Sequence, residues 1–386
     1  MTKVLFVYTH TVLGGGETML VRTISGLDKK RIASVAVISS KNERLYQELT
    51  RAGIRCVRLH DKNRPWKNKV FKAIVQIPNF LLLNVRMFFI IVKEKPDIVH
   101  AGLSYSALWS IVPARLLGKK FVWVGQTLSD FFAYPFLSKM LMRLSDVTVL
   151  TCADFNRLLK ENGMAGVGRT EVIYTGLPQN VFESHSGGPI LNIGEHHIKR
   201  PIVALIARFD ESQKGFGYFW EMAGIIHGKM PAVNFVVAGA PVNAAEEEFK
   251  KRLDALAKKL GIWDNLFCVG FVNDLPVFFP CVDVVVIPST YEAPSAVAME
   301  AGAGGKPVVA FAVGGIPEVI RNGDTGWLVP HGDARGLAEK TMLLLREPEK
   351  AARMGERGRE FVRKTFSQER LAENYSRLYE SLVRGA

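Results

Sequence analysis

Short apolar runs recur along this chain at 4–8, 35–39, 98–100, 121–124 and 147–150, and again at 202–206, 234–238, 266–269, 284–287 and 307–311. Helical stretches such as 17–26 and 43–52 lie between them. Strand-like runs spaced by helices predict βαβ units and parallel sheets. The rhythm occurs once in each half, with no shorter repeat. At 386 residues the chain exceeds one ordinary core, so two α/β domains are expected.

Composition marks the boundary. Ser184-His185-Ser186-Gly187-Gly188-Pro189 opens a polar, irregular stretch that runs to Arg200-Pro201. Gly and Pro clusters without periodicity read as a linker. The expected domains are therefore 1–180 and 181–366, with a cleft between them as the usual place for a small-molecule site. The tail 367–386 places Leu371, Tyr375, Leu378 and Leu382 at spacings of three and four, which predicts a helix.

Hydrophobic content of 48% and charged content of 23% describe a globular protein. Lys3 leads straight into an apolar strand, so no secretory signal is read. The net charge of +13 is uneven: residues 1–200 hold 28 Lys and Arg against 14 Asp and Glu, while the remainder holds 22 against 23. A basic first half points to an anionic partner. The stretch 71–92 is unusually apolar, but Gln76, Pro78, Asn79, Asn84 and Arg86 interrupt it. It therefore falls short of a membrane span. Basic residues flank it: Lys62, Arg64, Lys67 and Lys69 before, Lys93 and Lys95 after. Two readings fit: an amphipathic surface that meets anionic lipid through residues 62–95, or a helix packed on the sheet with a solvated basic face. Cys56, Cys152, Cys268 and Cys281 are scattered, each in or near an apolar run, as buried reduced thiols would be. No metal site is expected, and His196-His197 falls in the linker.

Three motifs carry candidate chemistry. Gly14-Gly15-Gly16-Glu17 follows the first strand. Glycines there let backbone approach a ligand, and the next helix offers unpaired N–H groups to an anion. The motif is neither G-x-G-x-x-G nor a P-loop. In the second half a strand read as ending at Arg208 is followed by Lys214-Gly215 at a helix start. Two cations at the carboxyl edge of a parallel sheet suit a diphosphate. The strand at 284–287 then leads into Tyr291-Glu292-Ala293-Pro294-Ser295-Ala296, with Glu300 eight positions after Glu292. Eight helical residues rise roughly 12 Å, too far for a glycosidase acid/base pair at about 5–9.5 Å.

As an ordered set these motifs resemble the retaining glycosyltransferases of family 4, group 1, which have the GT-B fold: two Rossmann-like doubly wound parallel-sheet domains with an interdomain cleft. The resemblance covers most of the chain and is strongest over 200–335. It implies that Gly14, Gly15 and Gly16 lie beside the donor sugar and diphosphate. It implies that Arg208 and Lys214 bind the diphosphate, that Glu292 holds donor-sugar hydroxyls and that Glu300 holds the ribose. Gly239 would line the nucleotide pocket, Gly270 and Phe271 the base, and the amides near Ser295 and Ala296 the phosphate. The late glycine loops at 313–318 and 323–329 also match. It implies that the last helix crosses back to the first domain.

Three departures stand out. Ala293 replaces the family's usual Gly. The segment Gln126-Thr127-Leu128-Ser129-Asp130 lacks the His often found near the reacting sugar, so Gln126 or Asp130 stands as a sugar or acceptor contact. His100 reads as a structural strand-end residue. The third is 173–178, which departs from the usual Asn-Gly-x-Asp.

The implied activity is a hexosyltransferase that moves sugar from a UDP- or GDP-linked donor to an acceptor hydroxyl with retention, without metal or cofactor. A cell-envelope glycolipid or polysaccharide precursor is the expected acceptor. The expected location is cytoplasmic, peripheral on the inner face of the membrane. No nucleic-acid partner is expected. Two alternatives stay open: a catalytically silent sugar-nucleotide-binding subunit, suggested by the missing His, and a nucleic-acid-binding protein, suggested by the charge.

Overall fold

A computed structural model describes residues 1–9, 15–60, 69–183, 188–272 and 274–385. It resolves into two compact units, Met1–Gly176 with Gln368–Ala386, and Leu177–Ser367.

The first unit is built on seven strands: Thr2–Tyr8 (β1), Ile32–Ser39 (β2), Arg55–Leu59 (β3), Ile98–Gly102 (β4), Lys120–Gly125 (β5), Val147–Leu150 (β6) and Thr170–Val172 (β7). All pair in parallel, in the order β3-β2-β1-β4-β5-β6-β7. The second unit opens with an antiparallel hairpin, Ile190–Ile193 (β8) and His196–Lys199 (β9). Its main strands are Ile202–Ile206 (β10), Asn234–Ala238 (β11), Leu266–Gly270 (β12), Val284–Ile287 (β13), Val308–Phe311 (β14) and Gly326–Val329 (β15). They are parallel in the order β12-β11-β10-β13-β14-β15. Val284, Val285, Val286 and Ile287 are all buried, as a central strand covered by helices on both faces requires. In each sheet the winding reverses beside the first strand, the crevice where doubly wound sheets take ligands.

Three sequence readings change here. The stretch read as linker holds the β8–β9 hairpin, in which His197 Nδ1 meets Asn192 Oδ1 at 2.7 Å. The strand read as ending at Arg208 ends at Ile206, so Arg208 belongs to the loop. Of the cysteines only Cys152 is fully buried; Cys56, Cys268 and Cys281 are half-buried, and all four are free. Strands β3, β7 and β15 were not anticipated, because they are short or half-exposed.

The closing helix Gln368–Arg384 belongs to the first unit. Its Leu371, Tyr375, Tyr379 and Leu382 join the core that holds Phe6 and Val4. There the Tyr379 hydroxyl and His100 Nδ1 are 2.7 Å apart, and His100 also packs on Tyr375. Burial drives the His100 imidazole down to about 3. The neutral ring therefore persists in the fold while the unfolded chain protonates near 6.5. Stability from this group is fully present above pH 6.5 and is lost as pH falls toward 3. Replacing His100 by Gln should make the acid limb of the stability profile shallower by up to about 1.4 kcal/mol per pH unit. Denaturant melts between pH 6.5 and 4 check this; an unchanged slope would contradict it.

Candidate functional site

Parallel pairing puts the ends of β10, β11, β12 and β13 on one edge of the second sheet. Arg208 follows β10 and is exposed. Lys214 closes the same loop, just ahead of the helix Phe216–His227. Glu292 lies in the loop after β13, outside any helix, so the helical rise of roughly 12 Å does not describe its distance from Glu300. Lys214 Nζ lies 2.7 Å from Glu292 Oε1, with side chains 20% and 16% exposed. The Ser289 hydroxyl donates to the same oxygen at 2.9 Å. Sequence reasoning missed Ser289; its only signal is a hydroxyl three positions before the Glu, at a strand end.

Backbone contacts lock these loops together. The Thr290 N–H donates to the Gln213 carbonyl at 2.9 Å, and Gly315 N–H to the Glu292 carbonyl at 2.8 Å. Gly215 and Gly314 sit at φ +65° and +52°, and a Cβ on them would lie 1.8 Å from Pro288 O and 2.0 Å from Glu292 O. Both positions thus need glycine for conformation and for space. Gly239 has the second reason alone, since its Cβ would meet Ala207 O at 1.9 Å.

The rest of the edge is assembled from nearby loops. Gly270 ends β12 and bridges to Gly239, and Phe271 beside it is 57% exposed, as a platform for a flat ligand would be. The helix Ala296–Ala303 is capped by the buried Ser295, whose hydroxyl accepts from Ala298 N–H at 3.3 Å. Ala296 opens that helix and is exposed, and Glu300 lies half-buried within it. Beside Arg208, partial burial pushes the Asp210 carboxyl up. Bonds from Ser212 and Gln213, with the Arg208 charge, outweigh that and hold it below the usual range. Nine predicted residues thus gather on one edge: Arg208, Lys214, Gly239, Gly270, Phe271, Glu292, Ser295, Ala296 and Glu300. The array joins two cations, an aromatic face and helix-terminal amides, which together suit an anion attached to a flat ring. Among the described residues no group of three or more His, Cys, Asp or Glu side chains is placed to hold a metal ion.

Family models match both units. The model for glycosyl transferases group 1 covers residues 192–361, and that for Glycosyltransferase Family 4 covers 13–180. The chain belongs to the family 4, group 1 glycosyltransferases. N-acetyl-alpha-D-glucosaminyl L-malate synthase of Bacillus anthracis is 36% identical over 33% of this chain and 34% of its own length. The lipopolysaccharide core biosynthesis glycosyltransferase LpsE of Rhizobium meliloti is 30% identical over 47% of this chain and 50% of its own. The matches thus span a third to a half of these curated relatives. Anabaena Alr3699/HepE, solved in complex with UDP, superimposes with a TM-score of 0.78 at 17% identity, over 98% of this chain and 100% of that one. The two parallel-sheet units are those of the GT-B fold.

The first unit's candidates fare differently. Gly14 lies outside the described residues, and Gly15 and Gly16 begin the helix Gly15–Gly26 after β1. Gln126 follows β5 and donates to the Tyr8 hydroxyl at 3.0 Å. Asp130 caps a turn. It is 6% exposed and accepts from Ser104 N–H and hydroxyl through Oδ1, and from Gln126 N–H, Thr127 N–H and the Thr127 hydroxyl through Oδ2. Those bonds leave its carboxylate occupied by the turn that holds the helix Leu128–Phe132.

The glycine contacts give a direct test. Gly314→Ala combines left-handed strain with overpacking, so it should destabilise the second unit by about 2–4 kcal/mol. Denaturant midpoints read this; a variant as stable as the parent would contradict the contact.

Proposed function

We propose that the chain transfers a sugar from a nucleotide diphosphate sugar to an acceptor hydroxyl, with retention at the anomeric carbon and without metal. The observation that carries this is the Lys214–Glu292 pair, set beside Arg208 at the switch point of the second sheet. UDP bound to the Anabaena protein of the same fold supports a nucleotide donor here.

The leaving diphosphate gathers negative charge as the glycosidic bond breaks. Fixed cations and amides stabilise it more in the transition state than in the ground state. Arg208 supplies a planar fork and Lys214 a compact charge. Glu292 holds Lys214 through Oε1, so the ammonium is oriented before the donor arrives. The carboxylate's Oε2 then takes a donor-sugar hydroxyl, and Glu300 takes the ribose. Phe271 lies against the base, with Gly239 and Gly270 giving it room.

We further propose that the acceptor is an envelope glycolipid or polysaccharide precursor met at the inner face of an anionic membrane. The helix Lys69–Glu94 buries Leu83, Met87 and Ile91, yet Leu81, Leu82, Val85, Phe89 and Val92 remain exposed. The helix Leu103–Leu116, packed beside it, adds Leu116, 74% exposed, and the helix Pro135–Leu144, packed on that one, adds Phe136, 84% exposed; Lys93, Lys119, Lys139 and Arg143 lie in or next to these three helices. Apolar side chains among cations fit anionic headgroups. The flanking Lys62, Arg64, Trp66 and Lys67 lie outside the described residues. Among the described residues no helix is long and apolar enough to cross a membrane.

Two experiments test these readings. Arg208→Ala and Lys214→Ala should each lower turnover about 10²–10³-fold in a labelled-sugar transfer assay. Near-parental rates in both would reject the assignment. Liposome flotation should show binding to vesicles with anionic lipid at low salt, weakening as salt rises. Phe89→Asp with Phe136→Ser should abolish it; equal binding by this variant would remove the membrane reading.

A further inference from the structure

Ser289 is 2% exposed, too enclosed to touch a ligand at the carboxyl edge. The loop that carries Lys214 sets its place from both sides. On one side the Pro288 carbonyl packs so closely on Gly215 that a Cβ there would lie 1.8 Å away. On the other, the Thr290 N–H donates to the Gln213 carbonyl at 2.9 Å, and the Thr290 hydroxyl to the Ser212 carbonyl at 3.2 Å. A residue between two such anchors has little backbone freedom. The Ser289 hydroxyl is thereby aimed at Glu292.

Glu292 is anchored as well. Its carbonyl accepts from Gly315 N–H at 2.8 Å. Its side chain takes two donors, and both fall on Oε1: the Ser289 hydroxyl at 2.9 Å and the Lys214 ammonium at 2.7 Å. One carboxylate oxygen has lone pairs for both. Among the described residues Oε2 takes no hydrogen bond. The two donors differ in what they can do next. The ammonium is partly exposed, a compact charge on a flexible stem that can be shared with an anion. The hydroxyl is buried and has no ligand to turn to. As Lys214 leans toward a leaving diphosphate its hold on Oε1 slackens, and the bond from Ser289 is the one that stays.

We propose that Ser289 is a positioning residue, which fixes the Glu292 carboxylate while Lys214 is shared with the diphosphate and so keeps Oε2 aimed at the donor sugar through the reaction. The inference rests on the donor-site reading above and deepens it. The effect of Ser289 falls on the transition state more than on capture of the nucleotide, because Arg208 and Lys214 meet the diphosphate with or without it.

The test uses the full chain in the labelled-sugar transfer assay, with the affinity of the donor's nucleoside diphosphate measured separately by calorimetry. Ser289→Ala should lower kcat roughly tenfold, the scale of a hydrogen bond to a charged group. Its affinity for the nucleoside diphosphate should stay within about twofold of the parent's. Ser289→Thr keeps the hydroxyl and should recover most of kcat, which also serves where Ser289→Ala folds poorly. In a Glu292→Ala background, adding Ser289→Ala should change kcat by no more than about twofold, since the group it positions is gone. A parental kcat in Ser289→Ala, a folded Ser289→Thr protein as slow as Ser289→Ala, or a full loss repeated in the Glu292→Ala background would overturn the proposal. Parental turnover by Ser289→Ala beside slow Lys214→Ala and Glu292→Ala proteins would overturn it alone and leave the donor-site reading standing. Parental rates in both Arg208→Ala and Lys214→Ala would sink that reading, and the role of Ser289 with it.

Discussion

The ion pair between Lys214 and Glu292 is the constraint on which the second unit's site rests. It joins the loop after β10 to the loop after β13, the two strands that flank the reversal of winding. A lysine on a free loop would sample many rotamers and would lose that freedom on binding an anion. Here the carboxylate, steadied by Ser289, has already fixed it. The Thr290-to-Gln213 backbone bond holds these two loops together, and the Gly315 N–H on the Glu292 carbonyl ties the second of them to the loop after β14. Preorganisation of this kind makes a positive site effective against charge that develops during reaction.

The same polar residue types serve opposite ends in the two units. In the second, Glu292 is partly exposed and engages a cation through one oxygen, leaving the carboxylate able to meet a ligand. In the first, Asp130 is buried with both oxygens satisfied by the turn around it. His100 likewise sits in an aromatic core with the Tyr379 hydroxyl for company, and burial keeps it neutral. Burial and the number of local donors, more than residue identity, separate a ligand-facing group from a structural one.

Much of this was legible before the structure. Buried strands such as β1, β10 and β13 announce themselves as apolar runs, and Arg208, Lys214 and Glu292 fall just past β10 and β13. Short edge strands do not: β7 carries Thr170 and Glu171, and the hairpin carries His196 and His197, so polarity hid them. The apolar spacing of the last helix was plain, but its partners Phe6 and His100 lie far away in sequence, and only the family resemblance supplied a destination. The cap that Asp130 forms was not legible, because a sequence does not reveal how many N–H groups will converge on a carboxylate. Ser289 escaped for the converse reason, since its value comes from where Glu292 folds.

The central claim is that Arg208 and Lys214 together read a diphosphate. It is tested most directly by comparing the calorimetric affinities of a nucleoside monophosphate and the matching nucleoside diphosphate, for the parent chain and the Arg208→Ala/Lys214→Ala variant. The account predicts that the second phosphate tightens binding to the parent by at least tenfold and that the variant loses this increment while still binding the monophosphate. Equal affinities for the two nucleotides in the parent, or an increment that survives in the variant, would contradict it.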